Sequence, residues 1–238
     1  MTRQEDVDIF STIFIFPHMD GNMETARNTQ NCNTLIWGTD MPMIKVKYGN
    51  TNTFYCPSPN GGLLVDTDYA GTMVAFYKAI KKAGFEVKDI SYVLATHYHP
   101  DHMGLIGQLM NQGVKLLLID VQKATVHYSD GIFTRGKIPF VPVDEESATV
   151  ISCDESRDFL ARISISGEII HTPSHSPDSV SLILDDGDCI VGDLEPMEYL
   201  AGYEENEQLK SDWDRILSFQ PKRVFYGHAP EKVYGVNV

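Results

Sequence analysis

One hexapeptide constrains this chain more than any other stretch. His97-Tyr98-His99-Pro100-Asp101-His102 packs three imidazoles and a carboxylate together, just beyond the apolar run Tyr92-Val93-Leu94-Ala95. A buried strand therefore delivers a loop of metal-competent groups, and neutral imidazole is the commonest protein metal ligand. His97 and His99 are two apart, so an extended backbone projects both to one side. Asp101 and His102 stand at a helix start, where the chain turns towards a neighbouring position, so one short loop can serve two adjacent ions. The competing readings are a solvated polar loop or histidines that cap a helix; both make poor use of so many ligand groups.

Around that loop the sequence reads as an α/β layer. Met43 to Tyr48, Thr51 to Cys56 and Leu63 to Val65 have strand character. Gly49-Asn50 and Asn60-Gly61-Gly62 supply the breaks, which predicts an antiparallel meander ending at Asp66. Met73, Phe76, Tyr77 and Ile80 follow at helical spacing, with Gly84 as the stop. Lys78, Lys81 and Lys82 fall on the wet face of that helix. A helix is expected from Met103 to Met110, then a strand from Val114 to Ile119. The middle, about residues 123–160, carries Pro139, Pro142 and Asp144-Glu145-Glu146, and reads as a segment that covers a cleft rather than builds a core. Strands are predicted at 168–171, 180–184 and 189–191, with Asp186-Gly187 as the turn between the last two. A helix through Leu209, Trp213, Ile216 and Leu217 and a strand from Arg223 to Tyr226 complete the pattern.

Composition excludes several classes of partner. With 19 Lys and Arg against 33 Asp and Glu, the net charge is -14. No basic patch is evident that would overcome repulsion of a phosphate backbone, so nucleic acid is not an expected partner. Cys32, Cys56, Cys153 and Cys189 are widely spaced and form no CxxC pair, which leaves a disulfide framework or zinc knuckle unsupported. Cys189, within an apolar run, reads as a small buried residue. The N-terminus is acidic where a signal peptide would be basic, and Ile9 to Phe16 is too short to span a bilayer. A cytoplasmic protein without membrane partners is the expectation. Residues 1–41 read as an N-terminal extension, an edge strand or an arm through which copies associate, and residues 42–238 as the domain proper.

Three further apolar strands end in a metal-competent residue. Ile169-Ile170-His171-Thr172-Pro173-Ser174-His175 does so once, Cys189-Ile190-Val191-Gly192-Asp193 again, and Val224-Phe225-Tyr226-Gly227-His228 a third time. Each alone reads as a turn aspartate or a satisfied surface histidine. Taken in order after an HxHxDH loop, they resemble the metallo-β-lactamase-fold superfamily of metallohydrolases over about residues 42–230. The resemblance implies an α/β, four-layer αββα sandwich of two mixed β-sheets flanked by helices, with metals at one sheet edge. It implies that His97, His99 and His175 bind the first metal, that Asp101, His102 and His228 bind the second, and that Asp193 bridges both. Asp66 matches a strand-end aspartate that supports the site without binding metal. His171 is a decoy; Pro173-Ser174 favours His175 as ligand and leaves His171 a structural role. Ser174 stands where the family commonly has Gly, which a backbone not held at positive φ accommodates. His18 and His127 match nothing, although His127-Tyr128 could approach the cleft.

Nitrogen-rich sites with added carboxylates and no thiolate suit two Zn²⁺ ions, and Fe or Mn fit the same donors. Ions roughly 3.5–4 Å apart hold a bridging hydroxide and polarise a carbonyl or phosphoryl oxygen. The expected activity is hydrolysis of an ester, lactone, thioester or phosphodiester-type bond in a small molecule, with Asp101 orienting the hydroxide as the catalytic residue. A fold of this kind hosts many substrates, so the branch must come from the site. An aspartate at 193 separates the chain from typical β-lactamases, which place Cys or no ligand there, and the acidic surface argues against the RNA-processing branch. Glyoxalase II-like thioesterases usually add a helical C-terminal region, whereas this chain stops soon after His228. Lactonases usually place a tyrosine where this chain has Leu194-Glu195-Pro196, leaving Tyr199 and Tyr203 as substitutes or as helix-packing groups. Glu195 and Glu198 are expected to shape the pocket. Flavodiiron reductases use a glutamate where His99 stands. The alternative is a persulfide dioxygenase-like oxidoreductase with one iron; two zinc ions per chain against one iron distinguishes the readings.

Overall fold

The computed structural model describes residues 41–202 and 205–234. The proposed extension, with His18 and Cys32, lies almost wholly outside the described residues, as does Tyr203. Among the described residues, eleven strands form two sheets. The first follows the predicted meander, β1 (Ile44–Lys47), β2 (Asn52–Cys56) and β3 (Gly62–Val65), paired antiparallel in that order. Helix α1 (Met73–Ala83) then crosses back, buries Phe76 and Ile80, and ends at Gly84, whose φ of 94° is a left-handed conformation that a side chain resists. The chain returns parallel to β3 as β4 (Ile90–Leu94).

Beyond β4 the predicted helix over 103–110 is interrupted. The chain forms α2 (Pro100–Met103) and then α3 (Ile106–Met110). The break has a local cause. The Thr67 backbone N–H donates to the His102 carbonyl at 2.9 Å, and the Leu105 N–H donates to Thr67 Oγ1 at 3.2 Å. Helical partners are thereby diverted to a neighbouring loop. At Gly104 an added Cβ would lie 2.2 Å from the Ala70 backbone nitrogen, so this close approach requires glycine.

After β5 (Lys115–Ile119), parallel to β4, the structure corrects the reading of the middle segment. It contains α4 (Asp130–Gly136), the strand β6 (Thr149–Ile151) paired parallel with β5, and α5 (Ser156–Arg162). Val126, Phe133, Val143, Ile151, Phe159 and Leu160 are buried, so the segment builds core as well as flanking a cleft. Its apolar residues are spaced between prolines and charges, which hides the periodicity.

The second sheet comprises β7 (Gly167–His171), β8 (Val180–Leu184), β9 (Asp188–Ile190), β10 (Arg223–Phe225) and a short β11 (Lys232–Val233) that the sequence did not announce. Its order is β11-β10-β9-β8-β7, with β9 and β10 parallel and the other pairs antiparallel. Helix α6 (Glu207–Ser218) connects β9 to β10, started by Asn206, whose side chain accepts the Leu209 N–H.

Strand alternation sorts the core into three layers of contact. Phe54, Leu63, Val65, Leu94 and Leu117 meet Ile169, Leu182, Ile190 and Phe225 between the sheets. Tyr55, Leu64, Val93, Leu116 and Leu118 pack under Phe76, Ile80, Ile106, Leu109 and Phe133. Ile170, Ile183, Cys189 and Val224 pack under Leu209, Trp213 and Ile216. The result is an αββα sandwich of two mixed sheets. Cys56, Cys153 and Cys189 are free thiols, and Cys189 is fully buried. No helix among the described residues is long and apolar enough to cross a membrane.

Candidate metal centre

The ends of β3, β4, β7, β9 and β10 converge at one edge of the sandwich. The Val180 N–H donates to the Thr96 carbonyl at 2.8 Å and ties the two sheets together there. Just past these ends stand all seven predicted ligand residues. They form three overlapping groups, His97-His99-His175, His97-His102-Asp193 and Asp101-His102-His228, and within each group the ligand-type atoms lie within 4.8 Å of one another.

Three of the histidines are aimed by a partner on the far nitrogen. Asp66, fully buried and at φ 59°, accepts the Thr96 N–H on Oδ1 at 2.6 Å and the Thr96 hydroxyl on Oδ2 at 2.8 Å. Its Oδ2 also accepts from His102 Nδ1 at 2.9 Å, which turns His102 Nε2 towards Asp193 Oδ1 at 3.3 Å. The Thr96 hydroxyl proton is used on Asp66, so His97 Nδ1, 3.2 Å away, donates to Thr96 Oγ1. His97 Nε2 is then a lone pair directed into the cluster, buried and without a hydrogen-bond partner. His228 Nδ1 lies 3.4 Å from both the Asn50 carbonyl and the Asn50 side-chain amide, which leaves Nε2 at 3.1 Å from Asp101 Oδ2 and 3.4 Å from Asp193 Oδ2. Asn50, in the β1–β2 turn, carried no sequence signal for this role.

Electrostatics at the cluster set burial against the neighbouring charges. Burial, followed by the surrounding imidazoles, pushes His97 far below the ordinary histidine range. Burial also lowers His175. Burial opposes the charged form of His102, but Asp66 and Asp193 outweigh it and raise its pKa to about 10. Asp193 is likewise destabilised as an anion by burial, yet its contacts with His102, His228 and His175 hold it below the usual carboxylate range.

The donor set fits divalent cations. His175 Nε2 faces His99 Nδ1 at 3.2 Å and His102 Nε2 faces His228 Nε2 at 3.3 Å, nitrogen against nitrogen, while His97 Nε2 is buried with no hydrogen-bond partner. Buried polar atoms are ordinarily satisfied, so these point to an ion as the missing partner. Space at the cluster is also specified: a Cβ on Gly227 would lie 2.5 Å from Asp193 Oδ1 and 2.7 Å from His102 Cε1.

Other singled-out residues fall elsewhere. His171 Nε2 donates to the Pro177 carbonyl at 2.8 Å and is outside the three groups. His127 pairs with Asp130 at 3.0 Å and Glu145 at 3.8 Å, also outside them. Tyr128 does reach the site, its ring 5.9 Å from that of His99. With Thr125, Pro177, His99 and His175 it lines a cleft of about 260 Å³. Tyr199 is 57% exposed and is not among the residues that line this cleft. Glu195 and Glu198 are also absent from the lining. The Glu195 carbonyl accepts from Trp213 Nε1, and Glu198 pairs with Lys232. Ser174, free of positive φ, donates its N–H to the buried Asp212 at 2.8 Å.

Comparison with known proteins fits this geometry. The model of the metallo-beta-lactamase superfamily matches residues 47–228. The chain belongs to that superfamily. It is similar to a beta-lactamase-like protein 2 homolog of Drosophila melanogaster, 26% identical over 180 residues and 75% of this chain, and it spans 58% of that protein's length. In fold it is similar to the metallo-beta-lactamase family protein TTHA1429 from Thermus thermophilus, with a TM-score of 0.60, 17% identity, and coverage of 81% of this chain and 74% of that one. It is also similar to TTHA1623, solved in a di-iron-bound form, with a TM-score of 0.58, 20% identity, and coverage of 81% and 94%. The superfamily consists mostly of hydrolases, and this member carries a histidine and aspartate cluster suited to divalent metal.

Proposed function

We propose that this protein is a hydrolase that uses two divalent cations to cleave an ester, lactone, thioester or phosphodiester-type bond in a small molecule. The observation that carries the reading is the placement of Asp193. Its carboxylate lies 3.3–4.0 Å from ring nitrogens of His97, His102, His175 and His228, between the two outer groups. His97, His99 and His175 would hold one ion, Asp101, His102 and His228 the other, and Asp193 both. Zn²⁺ suits these donors, and iron is kept beside it because a neighbour of the same fold binds two irons.

Bound ions of this kind lower the pKa of water and polarise the electrophilic oxygen of a substrate. The chain's own residues do the rest. Asp66 fixes the His102 tautomer, so the ring presents Nε2 rather than Nδ1. Asp101, partly solvent-exposed and beside His228, orients the attacking water and takes its proton at a carboxylate oxygen. The cleft beside His99 and His175 receives the substrate, and Tyr128 and Pro177 supply its apolar wall. A volume of about 260 Å³ suits a small molecule. The net charge of -14 supports a non-nucleic-acid substrate.

Metal analysis of the purified protein, coupled to a hydrolysis screen, tests this reading. Two ions per chain and turnover of lactones, thioesters or phosphodiesters are expected. A single iron with no hydrolysis favours the dioxygenase-like alternative, and activity confined to β-lactams overturns the substrate ranking.

A further inference from the structure

The loop that carries His97 and His99 is held from outside by a residue that the chemistry above does not use. Asp178, 4% exposed, lies beyond His175 in the loop between β7 and β8. Its Oδ2 accepts the backbone N–H of Tyr98, the residue between the two histidines, at 2.8 Å. Its Oδ1 accepts the Ser176 hydroxyl at 2.8 Å. One carboxylate therefore cross-links the loop bearing His97 and His99 to the loop bearing His175.

The same residue is held on its other side. The Ser129 hydroxyl donates to the Tyr98 carbonyl at 2.7 Å, and the Tyr98 ring is fully buried. Gln122, also fully buried, donates from Nε2 to the Ala95 carbonyl at 2.9 Å and to the Asp178 carbonyl at 3.2 Å. Among the described residues, the Asp178 carboxylate bonds to nothing in the second group, where Asp66 holds His102 through the ring nitrogen. The two outer groups thus have separate anchors, a backbone clamp for one and a side-chain clamp for the other.

We infer that Asp178 is a positioning residue for the His97-His99-His175 group, setting the separation of its three imidazoles through the Tyr98 peptide while leaving the Asp101-His102-His228 group unaffected. The inference rests on the metal-holding reading of the site. A charge buried with two good hydrogen bonds is stable only while both partners are in place, so the clamp is rigid. Supporting partners of metal ligands contribute about 10–100-fold to metal affinity.

The test is Zn²⁺ titration by calorimetry in two backgrounds. Asp101→Ala with His228→Ala leaves the three-histidine group intact; His99→Ala with His175→Ala leaves the other. Adding Asp178→Ala should weaken binding about 10-fold or more in the first background and leave the second essentially unchanged. Asp178→Asn keeps an oxygen acceptor for the Tyr98 N–H and should restore most of the affinity. Equal weakening in both backgrounds, or none in the first, overturns the assignment. If Asp178→Ala does not fold, Asp178→Ser, polar but too short to reach Tyr98, carries the same comparison. Failure of the parent chain to bind Zn²⁺ in either background would instead remove the two-metal reading itself.

Discussion

The two sheets furnish the candidate metal centre in opposite ways. The first sheet offers four of the seven ligand-type residues from one loop, His97 to His102, braced by Asp66 at the end of the adjacent parallel strand. The second offers three, His175, Asp193 and His228, each from beyond a different strand. In the first sheet, spacing within one loop brings donors together before any long-range contact is made. In the second, donors meet only after β7, β9 and β10 are registered and the two sheets have closed on each other. The second-sheet residues should therefore be the more fragile half of the site, and Asp193 the point where both halves depend on one side chain.

Replacing Asp193 with Ala should have the largest effect. It removes the carboxylate that faces four imidazoles, and metal-based stabilisation of a transition state is worth several kcal/mol. Hydrolysis should fall about 10³-fold, the equivalent of about 4 kcal/mol, and metal analysis should show loss of at least one ion. Retention of both ions would show that the two halves assemble independently. Asp101→Asn, on the first-sheet loop, preserves size and should reduce turnover about 10²-fold. Unchanged turnover together with unchanged metal content would deny Asp101 its role. The smallest effect is expected for His171→Ala, which removes a hydrogen bond to Pro177 but no ligand-type atom. Thermal unfolding should report a loss of roughly 0.5–1.5 kcal/mol, with metal content intact. Loss of an ion there would place His171 in the centre and dislodge His175.

The legibility of the fold followed the same division. Strands and turns of the meander, α1 with its Gly84 stop, and the Asp186-Gly187 turn were readable because local chemistry decides them. The broken helix at Gly104 was not, because Thr67, distant in sequence, takes the His102 carbonyl. Nor was β6, whose pairing with β5 is purely long-range. Within the site, the residues with ligand chemistry were readable by type. Asn50, Asp178 and Gln122 were not, since an isolated Asn, Asp or Gln in a loop has no pattern until its partner is seen.

The sequence by itself determined which donor groups this protein carries and in what order: a loop dense in imidazole, strand ends carrying further donors, and a membership in one superfamily. Only the tertiary structure decided which histidines face one another and which nitrogen each presents. It also separated His171 and His127 from the cluster and assigned the Tyr98 peptide to Asp178. The reason is physical. Residue type fixes what a side chain can coordinate, whereas direction is fixed by the partner on its far side. Here those partners come from strands and loops that only the closed sandwich brings within hydrogen-bonding distance.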